Sequence, residues 1–243
     1  MPEGPSIIIL KEKVQPFIRR RIILAQGNAK IDMNLFANKT VKDFKSWGKH
    51  FLICFSNFTV RIHFLMFGSY TINEKKERAP RLSLTFKNGE INFYTCSIKI
   101  ITEDINKVYD WTADVMNENW DAQKALEKSR KLPEMLACDA LLDQNIFSGV
   151  GNIIKNEVLF RKKIHPKSKI GKVPTAKLKL LIKEAVDYSF DFLKWKKKFE
   201  LKKHWLVYNK KTCPRCNIPL HKENLGKTNR RSFFCNNCQK IYS

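Results

Sequence analysis

Two stretches of this sequence carry residues that can do chemistry, one at each end. The first is Met1-Pro2-Glu3-Gly4-Pro5. Removal of the initiator methionine leaves a proline whose nitrogen is a free secondary amine. A terminal amine has a pKa of about 8, so part of it is unprotonated at neutral pH and can add to a carbonyl carbon to form an iminium. Glu3 places a carboxylate beside it. Alone, a Met-Pro start reads more simply as an accessible terminus. The second stretch is Cys213-x-x-Cys216 with Cys235-x-x-Cys238. This spacing lets four thiolates surround one Zn²⁺ tetrahedrally at about 2.3 Å. Four thiolates close the coordination and leave no position for an activated water, so one structural zinc is expected. Cys54, Cys96 and Cys138 are scattered singly, which fits a reducing compartment better than a disulfide framework.

The elements that must hold these residues change character along the chain. Ser6 is placed to cap a helix from about 7 to 19, with Ile8, Leu10, Val14 and Phe17 for its buried side, so the amine sits just ahead of a helix N-terminus. From about 22 to 101, short apolar runs (51–55, 59–64, 82–86, 90–94) separated by turn signals such as Asn88-Gly89 predict a mostly antiparallel sheet or sandwich. Beyond Thr102, segments 122–128, 133–142, 153–160 and 175–192 carry helical spacing. The fold class is therefore α+β, with an antiparallel sheet or sandwich domain over 1–115, a helical domain over 116–204 and a zinc-finger hairpin over 205–243.

Charge narrows the partners. The chain has 46 Lys and Arg against 23 Asp and Glu, a formal +23. Such an excess repels itself unless a polyanion is at hand, and nucleic acid is the usual one. Between Arg161 and Lys211 there are 17 basic and four acidic residues, a density that favours phosphate contact over a merely solvated face. No run of about 18 apolar residues is present, and the start lacks the basic flank and apolar stretch of a signal peptide. A soluble, cytoplasmic, nucleoid-associated protein with no membrane partner is expected.

In order along the chain, Pro2-Glu3-Gly4-Pro5, Gly48-Lys49-His50, the segment Leu141–Asn152 (LLDQNIFSGVGN) and the finger with Arg230 five residues before Cys235 resemble the Fpg/Nei (helix-two-turn-helix) DNA glycosylases with abasic lyase activity. The resemblance implies a β-sandwich flanked by helices, a helical domain with the finger, and damaged double-stranded DNA as partner of a monomer. It makes Pro2 the nucleophile at C1′ and Glu3 the acid that protonates the opening sugar. Lys49 becomes the phosphate-contacting proton donor of β-elimination, and Arg230 the phosphate grip of δ-elimination. It puts Gly149, Gly151 and Asn152 on phosphate, and Leu65, Met66 and Phe67 in the wedge that fills the space of a flipped nucleotide, where the rival reading is ordinary strand core.

The departures point to the endonuclease VIII branch, which acts chiefly on oxidised pyrimidines. Tyr94–Ile100 stands where the Fpg branch has Arg-Arg-Phe. Against the endonuclease VIII branch, Leu65 replaces its wedge glutamine and Asp110 falls where a DNA-contacting arginine is expected, while Ser6 stands where many relatives have glutamate. The alternatives are an Fpg-like oxidised-purine glycosylase, a non-catalytic zinc-ribbon protein binding nucleic acid by charge, and a lesion-binding protein without turnover.

Overall fold

A computed structural model describes residues 2–243; Met1, whose removal the proline chemistry requires, lies outside them. The chain forms two compact units, one ending at Tyr109 and the other spanning Asp110–Ser243.

The first unit begins with α1 (Gly4–Lys13), which starts three residues earlier than Ser6 capping predicts. Pro5 lies in its first turn, where a missing N–H costs nothing and a preset φ favours the helix. The N-cap is Glu3, in extended geometry, and the Ser6 amide donates to the Glu3 carbonyl at 2.8 Å. The helix ends at Lys13, and a tight turn over Gln15–Phe17 follows. Ile7, Leu10, Val14 and Phe17 are buried, whereas Ile8 is only partly so.

Six strands follow: β1 (Ile22–Gln26), β2 (Asp43–Trp47), β3 (His50–Cys54), β4 (Thr59–Ile72), β5 (Leu82–Phe86) and β6 (Gly89–Ile101). They pair antiparallel in one sheet of order β1-β5-β6-β4-β3-β2. Asn88-Gly89 does make the tight β5–β6 turn, Phe86 pairing with Gly89. β4 and β6 run well past the apolar runs that announce them, because the ladder from Thr59–Ile101 to Ile72–Ile91 satisfies backbone groups whatever the side chains. α1 packs on β2 and β3. Ile7 and Leu10 share one core with Phe51, Ile53, Val60, Ile62, Leu84 and Phe93. A short helix α2 (Ile105–Val108) closes the unit.

The second unit contains α3 (Ala122–Arg130), α4 (Ala137–Ala140), α5 (Asn152–Arg161), α6 (Thr175–Lys197) and the hairpin β7 (His221–Leu225) with β8 (Arg230–Phe234). The helix expected over 133–142 shrinks to α4. Pro133 has no N–H to give, and Leu136 instead forms a bridge with Lys169. α6 runs five residues beyond expectation, its last turn carrying Lys194, Lys196 and Lys197, cations that the negative helix end favours. Leu141, Phe147, Ile154, Val158, Leu181 and Tyr188 lie in the helical core. Phe160, Val207, Cys213, Phe233 and Cys235 make a smaller core tying α5 to the finger. Among the described residues no helix is long and apolar enough to cross a membrane.

Candidate active site and metal centre

The N-terminal pair is ordered against the first unit. Glu3 is 2% exposed and Pro2 is half-buried, so neither behaves as part of a loose terminus. The Glu3 carboxylate sits at the start of α1, where the helix dipole favours negative charge.

Lys49 occupies the tip of the two-residue turn joining β2 to β3, below which Trp47 pairs with His50. Gly48 has φ +50, a left-handed conformation that a β-carbon disfavours, so glycine suits this turn. Aromatic packing fixes its base. Trp47 lies 5.0 Å from the Tyr109 ring and 5.4 Å from His50, and His50 lies 5.4 Å edge-on from His63. Burial, helped by the charges of Arg61, His63 and Lys49, pulls the His50 pKa down to about 3. Burial, then Lys49 and Arg61, lowers His63 as well. Burial pushes the Tyr109 phenol up, against the charge and hydrogen bond of Arg61. Lys49 therefore projects from a clamp whose imidazoles are held towards the neutral form. The motif Gly48-Lys49-His50 singles out the turn, but the roles of Trp47, His63 and Tyr109 appear only in three dimensions.

Leu65, Met66 and Phe67 are 46%, 50% and 77% exposed, which removes the strand-core reading. Phe64 pairs with Cys96 and Ser69 with Tyr94, so residues 65–68 of β4 bulge opposite Thr95 alone. Thr95 has φ +49, an unusual conformation for a β-branched residue. The bulge thus breaks the ladder to display three apolar side chains.

In the second unit, Gly149 and Gly151 precede α5, with Gly151 as its N-cap residue. The Gln144 side chain braces this turn, accepting from the Gly149 amide (3.1 Å) and donating to the Val150 carbonyl (3.2 Å). Asn152 Nδ2 donates to the Arg231 carbonyl at 3.0 Å, while its buried Oδ1 has no hydrogen-bond partner among the described residues. The asparagine that the resemblance puts on phosphate thus faces the finger through its amide nitrogen. Asp110 N-caps the turn over Trp111–Ala113 and pairs with Lys128 at 2.7 Å. Burial pushes its carboxyl up, but hydrogen bonds from Lys128 and Thr112 outweigh that and leave it below the usual range.

Arg230 is the first residue of β8, and a set of buried polar groups that the sequence does not announce docks its hairpin. Lys155 is fully buried and donates to Ser232 Oγ (2.8 Å) and the Arg231 carbonyl (3.1 Å). Asn156 donates to the same carbonyl (3.2 Å) and accepts from the Phe233 amide (2.8 Å). Asp139 accepts from the Lys227 amide (2.9 Å) and from the Thr228 amide and hydroxyl (3.3 and 3.2 Å). A β-carbon on Gly226 would lie 2.3 Å from both Asp139 oxygens, so only glycine fits there. Glu157, fully buried, accepts from the amides of Leu206, Val207 and Tyr208 and anchors the connector to the first cysteine. Asn156 and Glu157 on α5 were visible only as polar positions in a helix.

The Sγ atoms of Cys213, Cys216, Cys235 and Cys238 all lie within 4.8 Å of one another, and Cys213 and Cys238 are 3.8 Å apart. Tetrahedral ligands at about 2.3 Å from a metal are about 3.8 Å apart, so the cage fits one ion of zinc size. Asn237 Nδ2 lies 3.2 Å from the Cys216 sulfur and an Arg215 nitrogen 3.7 Å from that of Cys238, giving the cage second-layer donors. His221 stands outside it, stacked on Phe234 with its Nε2 3.0 Å from the Asn236 amide.

Two family models match in tandem: the formamidopyrimidine-DNA glycosylase N-terminal domain over residues 1–97, and the formamidopyrimidine-DNA glycosylase H2TH domain over 100–190. Endonuclease 8-like 3 of Xenopus laevis is 30% identical over 232 residues, covering 90% of this chain and 38% of that protein. Endonuclease 8-like 2 of Bos taurus is 34% identical over 197 residues, covering 74% of this chain and 58% of its own length. The chain thus spans well under two thirds of these relatives. Among solved structures, a viral DNA glycosylase superposes with a TM-score of 0.84 at 21% identity, covering 98% of this chain and all of its own. Lactococcus lactis formamidopyrimidine-DNA glycosylase, bound to DNA containing an abasic site, superposes with a TM-score of 0.85 at 21% identity, covering 98% of this chain and 99% of that one. At that identity these two show the fold. With the tandem domains, the endonuclease 8-like relatives and the four-cysteine hairpin in order, the chain belongs to the Fpg/Nei family, on its endonuclease VIII-like side.

Proposed function

We propose that this protein is a DNA glycosylase and abasic lyase that removes oxidised bases, chiefly pyrimidines, from double-stranded DNA in base excision repair, acting as a monomer. The observation that carries the reading is the burial of Glu3 next to a half-buried Pro2. A disordered terminus would leave a carboxylate in water, whereas a reacting pair must be held.

With Met1 removed, the neutral Pro2 nitrogen attacks C1′, and the base leaves with the electrons of the glycosidic bond and takes up the proton that the Pro2 nitrogen sheds on forming its new bond. Glu3 gives a proton to the ring oxygen as the sugar opens, and the product is an iminium between Pro2 and C1′. The iminium acidifies the C2′ proton. Loss of that proton expels the 3′ phosphate, and a second proton loss, from C4′, expels the 5′ phosphate. Water then hydrolyses the iminium, which restores the amine and leaves a one-nucleotide gap with phosphate at both ends. Lys49 supplies the cation and proton for the first elimination, and Arg230 grips phosphate for the second. Met66, with Leu65 and Phe67, takes the place of the flipped nucleotide, since a base must leave the stack before C1′ can be reached. Gly149, Gly151 and Asn152 approach phosphate at the N-terminus of α5, where backbone N–H groups and the helix dipole favour anions. The four thiolates would hold Zn²⁺, which supplies structural cross-linking of the finger and no activated water.

The test is borohydride trapping of untagged protein on one duplex with an abasic site and another with thymine glycol, beside Pro2→Gly and Glu3→Gln, with the N-terminus confirmed by mass spectrometry. A Pro2-dependent adduct on both is expected. Trapping on the abasic duplex alone would keep the lyase and overturn the pyrimidine substrate. No adduct on either, from zinc-loaded protein starting at Pro2, would leave a binding protein.

A further inference from the structure

The end of α6 displays a phenylalanine that nothing in the fold explains. The Phe199 amide donates to the Lys196 carbonyl (3.1 Å) and the Glu200 amide to the Trp195 carbonyl (2.9 Å), the paired bonds of a Schellman cap. In that cap the left-handed position belongs to Phe199, with φ +58. Glycine suits this position because any β-carbon is disfavoured there. Phe199 adds a second cost, since its side chain is 96% exposed and returns no packing. Around it, Lys194, Lys197, Lys198, Lys202 and Lys203 are all exposed. Between residues 194 and 203 there are six lysines and one acid, Glu200, which pairs with Lys203 at 3.3 Å. Helix-dipole compensation accounts for cations in the last turn of α6 but not for Lys202 and Lys203 beyond it, nor for the aromatic ring.

The patch also stands apart from the glycine turn at the start of α5. Arg161, at the C-terminal end of α5, lies over the Tyr188 and Trp195 rings of α6 (4.9 and 6.0 Å) and bonds the His204 carbonyl (3.3 Å). Asn152 begins α5 and Arg161 ends it, ten residues that make a helix about 15 Å long at 1.5 Å per residue. The patch therefore belongs to the opposite end of α5 from Asn152.

We propose that Phe199 and its surrounding lysines form an accessory binding surface for single-stranded DNA. An unpaired base stacks on the phenylalanine ring while the lysines take the adjoining phosphates. Bases in a duplex are already stacked and cannot cover an isolated ring in this way, which favours an unpaired strand; sequence preference is not expected, because every base has a face to stack. The proposal goes beyond the glycosylase reading, and its test separates the two.

Affinity is measured for a short blunt duplex with a tetrahydrofuran abasic analogue, and for the same duplex with an oligo-dT tail. Wild-type protein should bind the tailed DNA more tightly. Phe199→Gly should lower tailed-DNA affinity about tenfold, close to the lower end of one base–aromatic stack. It should leave blunt-duplex affinity and borohydride trapping unchanged, and leave thermal stability equal or higher because the strained cap is relieved. Phe199→Trp should retain the tail effect. Lys197→Glu with Lys198→Glu should reduce the salt slope for the tail by about 1.4, the value for two phosphate contacts on a single strand. Equal weakening on both DNAs, no tail effect in wild type, or Phe199-dependent binding to anionic phospholipid vesicles without a tail effect would each overturn the proposal. Loss of trapping in wild type would instead fail the glycosylase reading and leave the tail measurement standing.

Discussion

The two hairpins that carry the cations of the proposed chemistry are held by opposite means. Lys49 projects from a turn clamped by rings: Trp47, His50, His63 and Tyr109 pack within 5.0 to 5.8 Å of one another in the contacts that close it. Arg230 starts a strand whose hairpin is docked through buried hydrogen-bonding groups, Asp139, Lys155 and Asn156, and whose far end is closed by four cysteines. A ring clamp depends on area and degrades gradually when a contact is trimmed. A buried polar network is stable only while every member is satisfied, because an orphaned group keeps its full desolvation cost.

The comparison breaks most sharply at the metal. Cys213→Ser, or chelation, should abolish stoichiometric zinc binding and open the small core of Phe160, Val207 and Phe233, since structural zinc binding is worth about 10–16 kcal/mol in isolated fingers. Hydrogen exchange should show β8 amides losing protection while β3 and β4 keep theirs. Unchanged zinc content or β8 protection would remove the metal from the account.

Acid tests the ring clamp next. His50 has a folded pKa lowered to about 3 from an ordinary value of 6.5, so its neutral form is the one the fold accommodates. Its contribution is fully present above pH 6.5, falls as pH drops and is exhausted near pH 3, a loss of a few kcal/mol. Arg61, His63 and Lys49 are the charged or chargeable neighbours that oppose its protonation, and His50→Gln should flatten the stability of the first unit across that window. An equally steep profile in the variant would place the acid sensitivity elsewhere, with His63 the first alternative.

The smallest effect sharpens the polar side. Asp139→Ala removes the acceptor of three donors at the β7–β8 turn and should destabilise the second unit by about 1–3 kcal/mol. With the glycosylase reading, δ-elimination on a preformed abasic site should fall more than Schiff-base trapping, because Arg230 follows this turn directly. Equal loss of both steps would mean general destabilisation.

Much of this was legible in one dimension. Two Cys-x-x-Cys pairs define a metal cage because two residues between cysteines fit a knuckle, and the fold gathers all four sulfurs. Asn88-Gly89 marks its turn because the backbone there needs a residue without a β-carbon, and Gly89 has φ +138. The apolar runs located the strand centres but not the ends of β4 and β6, since pairing continues on backbone hydrogen bonds after alternation stops. Ser6 is a good cap by type and points to a start at residue 7, but Pro5 fits the first turn and the helix begins at Gly4.

The sequence by itself determined the α+β class and the cysteine spacing, because local pattern and residue type suffice for these, whereas Lys49, Pro2 and Glu3 stand out as candidates only through the family resemblance. Only the tertiary structure decided which polar residues are buried. Lys155 is buried because Ser232 and Arg231 are brought against it, and Phe199 is left exposed where the cap of α6 turns the chain. Burial depends on what the rest of the chain places alongside a residue, and for these two the neighbours come from folding rather than from the adjacent sequence.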